Sequence, residues 1–237
     1  MKKLATSFIL LLLTSSFLFS QNKHQIWDGL LQKYVSENGL VNYEGFKKEA
    51  ALLTKYLEKL AEEIPNEEWN RNESMAYWIN AYNAFTVKLI IDNYPVNSIM
   101  DLKDGKPWDS KFFELRGEPY SLNKIEHEIL RPTFKEARIH FAVNCASISC
   151  PKLHNRAFTA GNVDELLDVL AKNFINNEAK NTISDEKIEI SKLFEWYEDD
   201  FNYDGSLIDF LNRYSALKIK PSTPITFKEY NWELNNK

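Results

Sequence analysis

The sequence is poor in the features that mark several protein classes. Seven glycines and eight prolines among 237 residues are too few for low-complexity linkers to fill much of the chain. Basic residues number 29 and acidic residues 34, and the net charge of −5 argues against a nucleic-acid binder that works through a general basic surface. After residue 20 no apolar run is long enough to cross a bilayer. We therefore expect no nucleic-acid partner and no membrane span beyond that point.

Apolar and aromatic residues are plentiful, at 44% and 14% of the chain. These fractions are typical of a globular protein and provide enough apolar area for a hydrophobic core. No internal repeat and no long Ser/Gly/Pro linker interrupts residues 21–237. We therefore predict a single domain over 21–237.

The first twenty residues differ from the rest. Lys2 and Lys3 precede an apolar run from Phe8 to Leu13, and a small residue, Ser20, offers a cleavage site. This pattern predicts a signal peptide over 1–20, with a membrane anchor or a buried helix as the alternatives. No cysteine lies near the cleavage site, which excludes lipid attachment through cysteine. We expect a periplasmic or secreted protein in an oxidising compartment, with no stable membrane insertion after cleavage.

Helical and strand patterns are segregated along the chain rather than alternating. The predicted elements, in chain order, are helices over 24–36, 45–61 and 67–92, a hairpin over 111–122, a helix over 122–130 that Pro132 ends, a strand over 138–144, a helix over 163–176, a strand over 187–190, helices over 193–201 and 206–214, and an extended, aromatic segment from Pro221. Segregation of this kind predicts an α+β fold, rich in helix, around a small and mainly antiparallel sheet.

The long helix over 67–92 carries two polar residues on an otherwise apolar surface. Asn80 and Asn83 lie three residues apart and face the same way. A buried amide without a partner costs about 1–3 kcal/mol, so both must be satisfied. Either they form a structural polar network, or one of them orients a catalytic histidine or donates to an oxyanion.

A second polar group lies between Lys124 and Arg131. Glu126 and His127 are neighbours in sequence and point about 100° apart on a helix, so they do not face each other. His127 needs another orienting group, and Arg131 cannot be the acceptor. His127 is either structural or catalytic.

The third group runs from Arg138 to Pro151. If 138–144 is a strand, His140 and Asn144 share the face opposite to Ile139 and Phe141. Reactive groups are common where a strand ends in an open loop. If a helix starts at Pro151, its free N–H groups would favour a thiolate or an oxyanion.

Both cysteines of the chain, Cys145 and Cys150, lie in this third group, five residues apart. They form either a small disulfide or a redox pair, or one of them is a nucleophile activated by a histidine. The spacing is not that of thioredoxin-like sites. A zinc site with His127 and His140 is a further alternative, although the spacing matches no zinc-finger pattern.

Together these blocks resemble the domain of unknown function 547 family. The similarity rests on three motifs in the same order and separation: Trp78-Ile79-Asn80-Ala81-Tyr82-Asn83-Ala84, Ile125-Glu126-His127-Glu128-Ile129-Leu130-Arg131, and His140-Phe141-Ala142-Val143-Asn144-Cys145-Ala146-Ser147-Ile148-Ser149-Cys150-Pro151. It places a family core at about 66–179. The resemblance implies candidate positions rather than a reaction, because the family label states no activity. Within the α+β class, we single out a papain-like or transglutaminase-like form.

Our leading hypothesis is a cysteine-dependent hydrolase or acyl transferase that acts on peptide, amide or thiol-conjugate bonds. In it Cys145 attacks a carbonyl, His127 or the less favourably oriented His140 is the base, an asparagine or Glu126 orients the imidazole, and backbone N–H groups near 147–150 hold the oxyanion. The catalytic candidates are Cys145, His127, Glu126 and Asn80. The substrate-binding candidates are Asn83, Arg131, His140, Asn144, Ser147 and Ser149.

Two alternatives remain open. One is a non-catalytic ligand-binding or structural module with a Cys145–Cys150 disulfide. The other is a thiol–disulfide or metal-handling protein. In the leading hypothesis no metal and no cofactor is required, and the partner is a small-molecule or peptide substrate.

Overall fold

We describe the fold from a computed structural model, which describes residues 23–184 and 186–237. The predicted signal peptide over 1–20 lies outside these residues and stays a prediction. Within the described ranges, no helix is both long and apolar enough to pass through a bilayer.

Helices account for most of the regular structure. The α-helices of the described residues are α1 (Gln25–Tyr34), α2 (Tyr43–Lys48), α3 (Ala50–Glu62), α4 (Arg71–Asn93), α5 (Arg131–Phe134), α6 (Val163–Ile175), α7 (Leu193–Trp196), α8 (Glu198–Phe201) and α9 (Leu207–Tyr214). A π-helix over Lys124–Leu130 leads directly into α5. Short 3₁₀ segments cover Ile99–Asp101, Lys103–Gly105 and Ala137–Phe141.

Helix α4 forms the centre of the fold. Asn70 caps it by accepting the Glu73 N–H at 2.9 Å, and every residue from Met75 to Val87 is buried. A helix that is apolar nearly all round must be covered on all sides. Helices α2, α3 and α6 and the π-helix pack against it. One continuous hydrophobic cluster extends from Trp27 to Leu234 around this helix.

The strands form two small sheets at the edge of the helices. β1 (Phe113–Leu115) pairs antiparallel with β2 (Glu118–Tyr120), as the hairpin pattern predicts. β4 (Ile188–Ser191) pairs antiparallel with β3 (Thr182–Ile183) and parallel with β5 (Ile225–Lys228). The predicted α+β class, with much helix and little, mainly antiparallel sheet, is confirmed.

The predicted strand over 138–144 is wrong. Residues Ala137–Phe141 form a 3₁₀ helix, and the Glu136 side chain caps it by accepting the Arg138 N–H at 3.1 Å. Ile139, His140 and Phe141 are all buried. Alternation of apolar and polar residues indicates a strand only when one face is solvated, and here both faces are covered.

The predicted end of a helix at Pro132 and the predicted start of a helix at Pro151 are also wrong. The helix continues through Pro132 and ends at Phe134, and the residue that caps it, Lys135, has a φ of 47°. Pro132 lies in the first turn of α5, where a residue without an N–H is tolerated. No helix begins at Pro151, and the chain runs irregularly to Phe158. At Phe158 the chain is held against α4 by the Asn80 side chain, which donates to the Phe158 carbonyl at 2.8 Å and accepts the Phe158 N–H at 3.0 Å.

Candidate active site

One cavity contains most of the predicted catalytic residues. It has a volume of about 220 Å³, and Cys145, Glu126, His127 and His140 all line it. The structure thus brings the Cys145 thiol, both imidazole candidates and the carboxylate to a single site.

The chain makes a strained turn at Cys145. Ala146 has a φ of 62°, in the left-handed region that residues with a side chain seldom adopt. The Asn144 side chain stabilises the turn by accepting the Ala146 N–H at 3.0 Å. Strained backbone that neighbours hold in place is common at functional sites. The turn leaves Cys145 half-buried, whereas Ala146 is buried.

The Cys145 thiol lies among hydrogen-bonding groups. Its Sγ is 3.3 Å from the Ser147 Oγ and 3.3 Å from the Tyr230 hydroxyl. Burial raises the pKa of the thiol, but hydrogen bonds from Cys150, Ser147 and Tyr230 outweigh burial and lower the pKa of Cys145 to about 7. A thiolate is therefore well populated at neutral pH without direct contact with an imidazole.

Cys150 differs from Cys145 in burial and in the direction of its pKa shift. It is 6% exposed, and burial together with the neighbouring Cys145 raises its pKa well above the ordinary value. Its Sγ accepts the Cys145 N–H at 3.0 Å, so the two side chains are adjacent. Both are free thiols. The Cys145–Cys150 disulfide of the alternative hypothesis stays a prediction.

Carbonyls accept three of the backbone N–H groups of residues 147–150, and the Ser147 N–H hydrogen-bonds to the Cys145 thiol. Ile148 donates to the Glu233 carbonyl at 2.8 Å, and Ser149 donates to the Asn231 carbonyl at 3.1 Å. Cys150 donates to a carbonyl of its own loop at 3.2 Å. The C-terminal segment thus occupies the N–H groups of Ile148 and Ser149, whereas the Ser147 N–H lies at the Cys145 sulfur. The prediction that backbone N–H groups near 147–150 hold an oxyanion stays a prediction.

His140 has the environment of a general base. Its Nε2 is 2.7 Å from an Asp200 carboxylate oxygen, and its ring stacks on Tyr197 with centroids 3.8 Å apart. Because a carboxylate accepts, a neutral ring carries its proton on Nε2 and presents a lone pair on Nδ1. Among the described residues Nδ1 has no hydrogen-bond partner, and Glu126 Oε1 lies 3.9 Å away.

Asp200 connects His140 to Arg131. The Arg131 guanidinium donates to both carboxylate oxygens, at 2.6 and 3.0 Å. Burial raises the pKa of Asp200, but the hydrogen bonds from His140 and Arg131 outweigh it and hold the pKa well below its usual range. Asp200 therefore remains ionised and fixes the His140 ring from behind, as the carboxylate does in triads.

His127 has a different role open to it. Its Nδ1 is 2.8 Å from Arg131 Nη1, and a guanidinium only donates. The neutral His127 ring therefore accepts at Nδ1, carries its proton on Nε2 and has no free lone pair. This arrangement suits a hydrogen-bond donor to an oxyanion, as neutral histidines are in some enzymes, and not a base.

The π-helix determines where these side chains point. The Arg131 N–H bonds to the Glu126 carbonyl five residues back, and residues four apart on a helix are neighbours on its surface. Arg131 thus lies over His127. Glu126 is buried, and its Oε1 accepts the Tyr197 hydroxyl at 2.6 Å. As expected from their spacing, Glu126 and His127 do not face each other.

The amides of α4 lie outside the cavity and bind backbone. The Asn80 side chain bonds to the N–H and the carbonyl of Phe158. Asn83 donates to the Ala142 carbonyl at 2.9 Å and accepts the Asn144 N–H at 2.8 Å. With both polar atoms engaged, each amide fixes a loop against α4, and we assign neither to the chemistry.

The remaining predicted binding residues lie around the turn. Asn144 Nδ2 donates to the Pro151 carbonyl at 2.7 Å, and Ser149 Oγ accepts the Asn231 N–H at 2.8 Å. Of this group, only Ser147 contacts the Cys145 sulfur through its side chain. Their roles in substrate binding stay predictions.

Three residues that sequence reasoning missed complete the site: Asp200, Tyr197 and Tyr230. Asp200 lies in an acidic run, Glu198-Asp199-Asp200, where nothing distinguishes one carboxylate from the next. Tyr230 lies in the C-terminal segment, whose aromatic character was the one available signal.

Among residues 23–184 and 186–237, we find no group of three or more His, Cys, Asp or Glu side chains that could hold a metal ion.

Comparison with known proteins bears on the family alone. A family model described as "Protein of unknown function, DUF547" matches residues 66–175, which include all three motif blocks. The searches of curated proteins and of solved structures found no match. The papain-like or transglutaminase-like form therefore stays a prediction. Over residues 66–175 the chain is a member of the DUF547 family, whose description states no activity.

Proposed function

We propose that this protein is a cysteine-dependent hydrolase or acyl transferase that acts on peptide, amide or thiol-conjugate bonds. The observation that carries the proposal is the Cys145 thiol, half-buried at a cavity and with its pKa lowered to about 7. A thiol in this state is a nucleophile at neutral pH.

In the proposed reaction the Cys145 thiolate attacks the substrate carbonyl carbon and forms a tetrahedral oxyanion. The His127 Nε2–H donates to that oxygen. His140, which holds at Nδ1 the proton that the Cys145 thiol loses, gives that proton to the leaving group, and an acyl-Cys145 thioester remains. His140 Nδ1 then takes a proton from water or from an acceptor, whose oxygen, nitrogen or sulfur attacks the thioester and restores the thiolate.

The roles of the two histidines follow from their hydrogen bonds. Only His140 has an orienting carboxylate, at 2.7 Å, together with an unpaired ring nitrogen. Its Nδ1 is buried and makes no hydrogen bond to Cys145 among the described residues. In the proposed reaction this contact forms when substrate binds.

Turnover of a panel of aryl esters, thioesters and peptide amides tests the proposal. We expect hydrolysis of at least one class, its complete loss in Cys145→Ser, and its retention in the matched variant Cys150→Ser. The Asp200→Asn variant should lower kcat, because the His140 ring loses its orienting carboxylate. No turnover across the panel, or equal turnover in Cys145→Ser, would refute a cysteine enzyme and favour the non-catalytic binding module.

The asymmetry of the two thiols favours thiol–disulfide exchange as a second candidate. A half-buried thiol of lowered pKa next to a buried thiol of raised pKa is suited to attack followed by resolution. Titration of native protein without reductant separates the candidates. Two free thiols support the hydrolase, and a bond that mild reductant opens supports exchange.

We also propose export to the periplasm or the medium, from the signal-peptide pattern of residues 1–20. The mature protein isolated from either fraction should begin at Gln21. A mass that retains the first twenty residues would contradict export by cleavage.

A further inference from the structure

The cavity has one wall made of aromatic rings. Trp196, Tyr230 and Trp232 contact one another, with ring centroids 4.5–5.7 Å apart, and Trp108 meets Trp232 edge-on at 5.5 Å. All four line the cavity that Cys145 lines. We call these four residues the aromatic wall.

The wall begins at the reactive sulfur. The Tyr230 hydroxyl is 3.3 Å from Cys145 Sγ, and the Tyr230 ring packs on Trp232 at 4.5 Å. Backbone hydrogen bonds hold the wall in place, because Asn231 and Glu233 pair with the loop that follows Cys145. A group attached to a carbonyl at Cys145 would therefore lie against the indole rings.

Packing of the hydrophobic core does not explain why the aromatic wall lies at the surface. Trp196 is 43% exposed, an unusual state for so large an apolar side chain. Rings that only completed the core would be covered, as those of Tyr56 and Tyr77 are. Apolar area next to a cavity that holds convergent polar groups is typical of ligand sites.

We infer that the aromatic wall is a specificity subsite for an aromatic ring carried by the acyl or amide portion of the substrate. The inference rests on the proposed function and names the substrate class of the same site. The cavity of about 220 Å³ has room for one such ring, since a cavity of about 150 Å³ holds benzene.

The wall also shows where the specificity of this chain is encoded. Trp196, Tyr230 and Trp232 all lie beyond residue 175, where the family match ends. The matched residues supply Cys145, His140 and the fourth ring of the wall, Trp108, whereas the C-terminal part of the chain supplies the three rings nearest to Cys145.

Alkylation of Cys145 by three matched reagents tests the inference. The reagents are iodoacetamide, N-benzyl iodoacetamide and N-cyclohexylmethyl iodoacetamide, and the readout is the second-order rate mapped to Cys145 by mass spectrometry. Each rate with a ring-bearing reagent is divided by the iodoacetamide rate of the same protein. We expect the benzyl reagent to exceed the cyclohexylmethyl reagent by about 3- to 10-fold in the native chain, the preference typical of aromatic over aliphatic contact.

Variants locate the preference. Trp196→Leu keeps an apolar side chain but removes a ring, and should bring the benzyl-to-cyclohexylmethyl ratio close to 1. Trp69→Leu is the matched control, because Trp69 packs on Tyr77 and does not line the cavity, and should keep the ratio.

The outcomes separate this inference from the proposed function. If iodoacetamide does not modify Cys145 near neutral pH, the nucleophile itself is refuted. If iodoacetamide modifies Cys145 but the native chain treats the two ring reagents alike, only the aromatic subsite is refuted. A ratio that Trp196→Leu leaves unchanged would also refute the subsite, and the native-chain comparison holds even if that variant does not fold.

Discussion

Removing the Tyr230 hydroxyl tests the cause of the lowered pKa at Cys145. In Tyr230→Phe the ring stays, so its packing on Trp196 and Trp232 is kept, while the hydroxyl 3.3 Å from Cys145 Sγ is lost. A hydrogen bond to a charged group contributes about 1.5–3 kcal/mol, and one pKa unit corresponds to about 1.4 kcal/mol. The thiol of the variant should therefore titrate at about pH 8–9 instead of about 7.

The assay is the rate of Cys145 alkylation by iodoacetamide across pH 5–10. The midpoint of the pH profile is the readout, because a more basic thiolate is also a better nucleophile and partly offsets the lower thiolate fraction at any single pH. Tyr214→Phe is the matched control, since the Tyr214 hydroxyl contacts Asp168 and does not line the cavity. An unchanged midpoint in Tyr230→Phe would refute hydrogen bonding by Tyr230 as a cause of the lowered pKa.

Three further predictions follow from the same contacts. Asn83→Leu should lower the melting temperature, since two buried backbone groups lose their partner at about 1–3 kcal/mol each, and an unchanged melting curve would contradict the structural role of the amide. The depressed pKa of Asp200 contributes stability above about pH 4 that is lost as pH falls through that pKa, so acid unfolding followed by circular dichroism should be less steep in Asp200→Asn, and equal curves would contradict the pairing. Iodoacetamide labelling at pH 7 should disappear in Cys145→Ser and persist in Cys150→Ser. Equal labelling of both variants would refute the assignment of Cys145 as the reactive thiol.

Much of the fold could be predicted from periodicity, because most helices have one buried face. The 3₁₀ segment over 137–141 could not, since residues buried on all sides lack the polar positions that reveal a period. The π-helix over 124–130 was predicted as an ordinary helix, because its extra residue per turn leaves no mark in so short a pattern.

Part of the candidate site could likewise be predicted from the sequence, and part could not. Cys145, His127 and His140 could be found because rare reactive residues stand out in a sequence with two cysteines and four histidines. The assignment of the base could not, because it depends on hydrogen bonds across long separations. His140 lies 60 residues from Asp200, and Cys145 lies 85 residues from Tyr230.

The central claim is that Cys145 forms a covalent acyl intermediate. Its most direct test is intact-mass spectrometry of protein mixed with an activated acyl thioester and quenched in acid within the first turnover. We predict one acyl group per chain, mapped to Cys145, released by hydroxylamine and absent in Cys145→Ser. No adduct, or an adduct that persists in Cys145→Ser, would contradict the account.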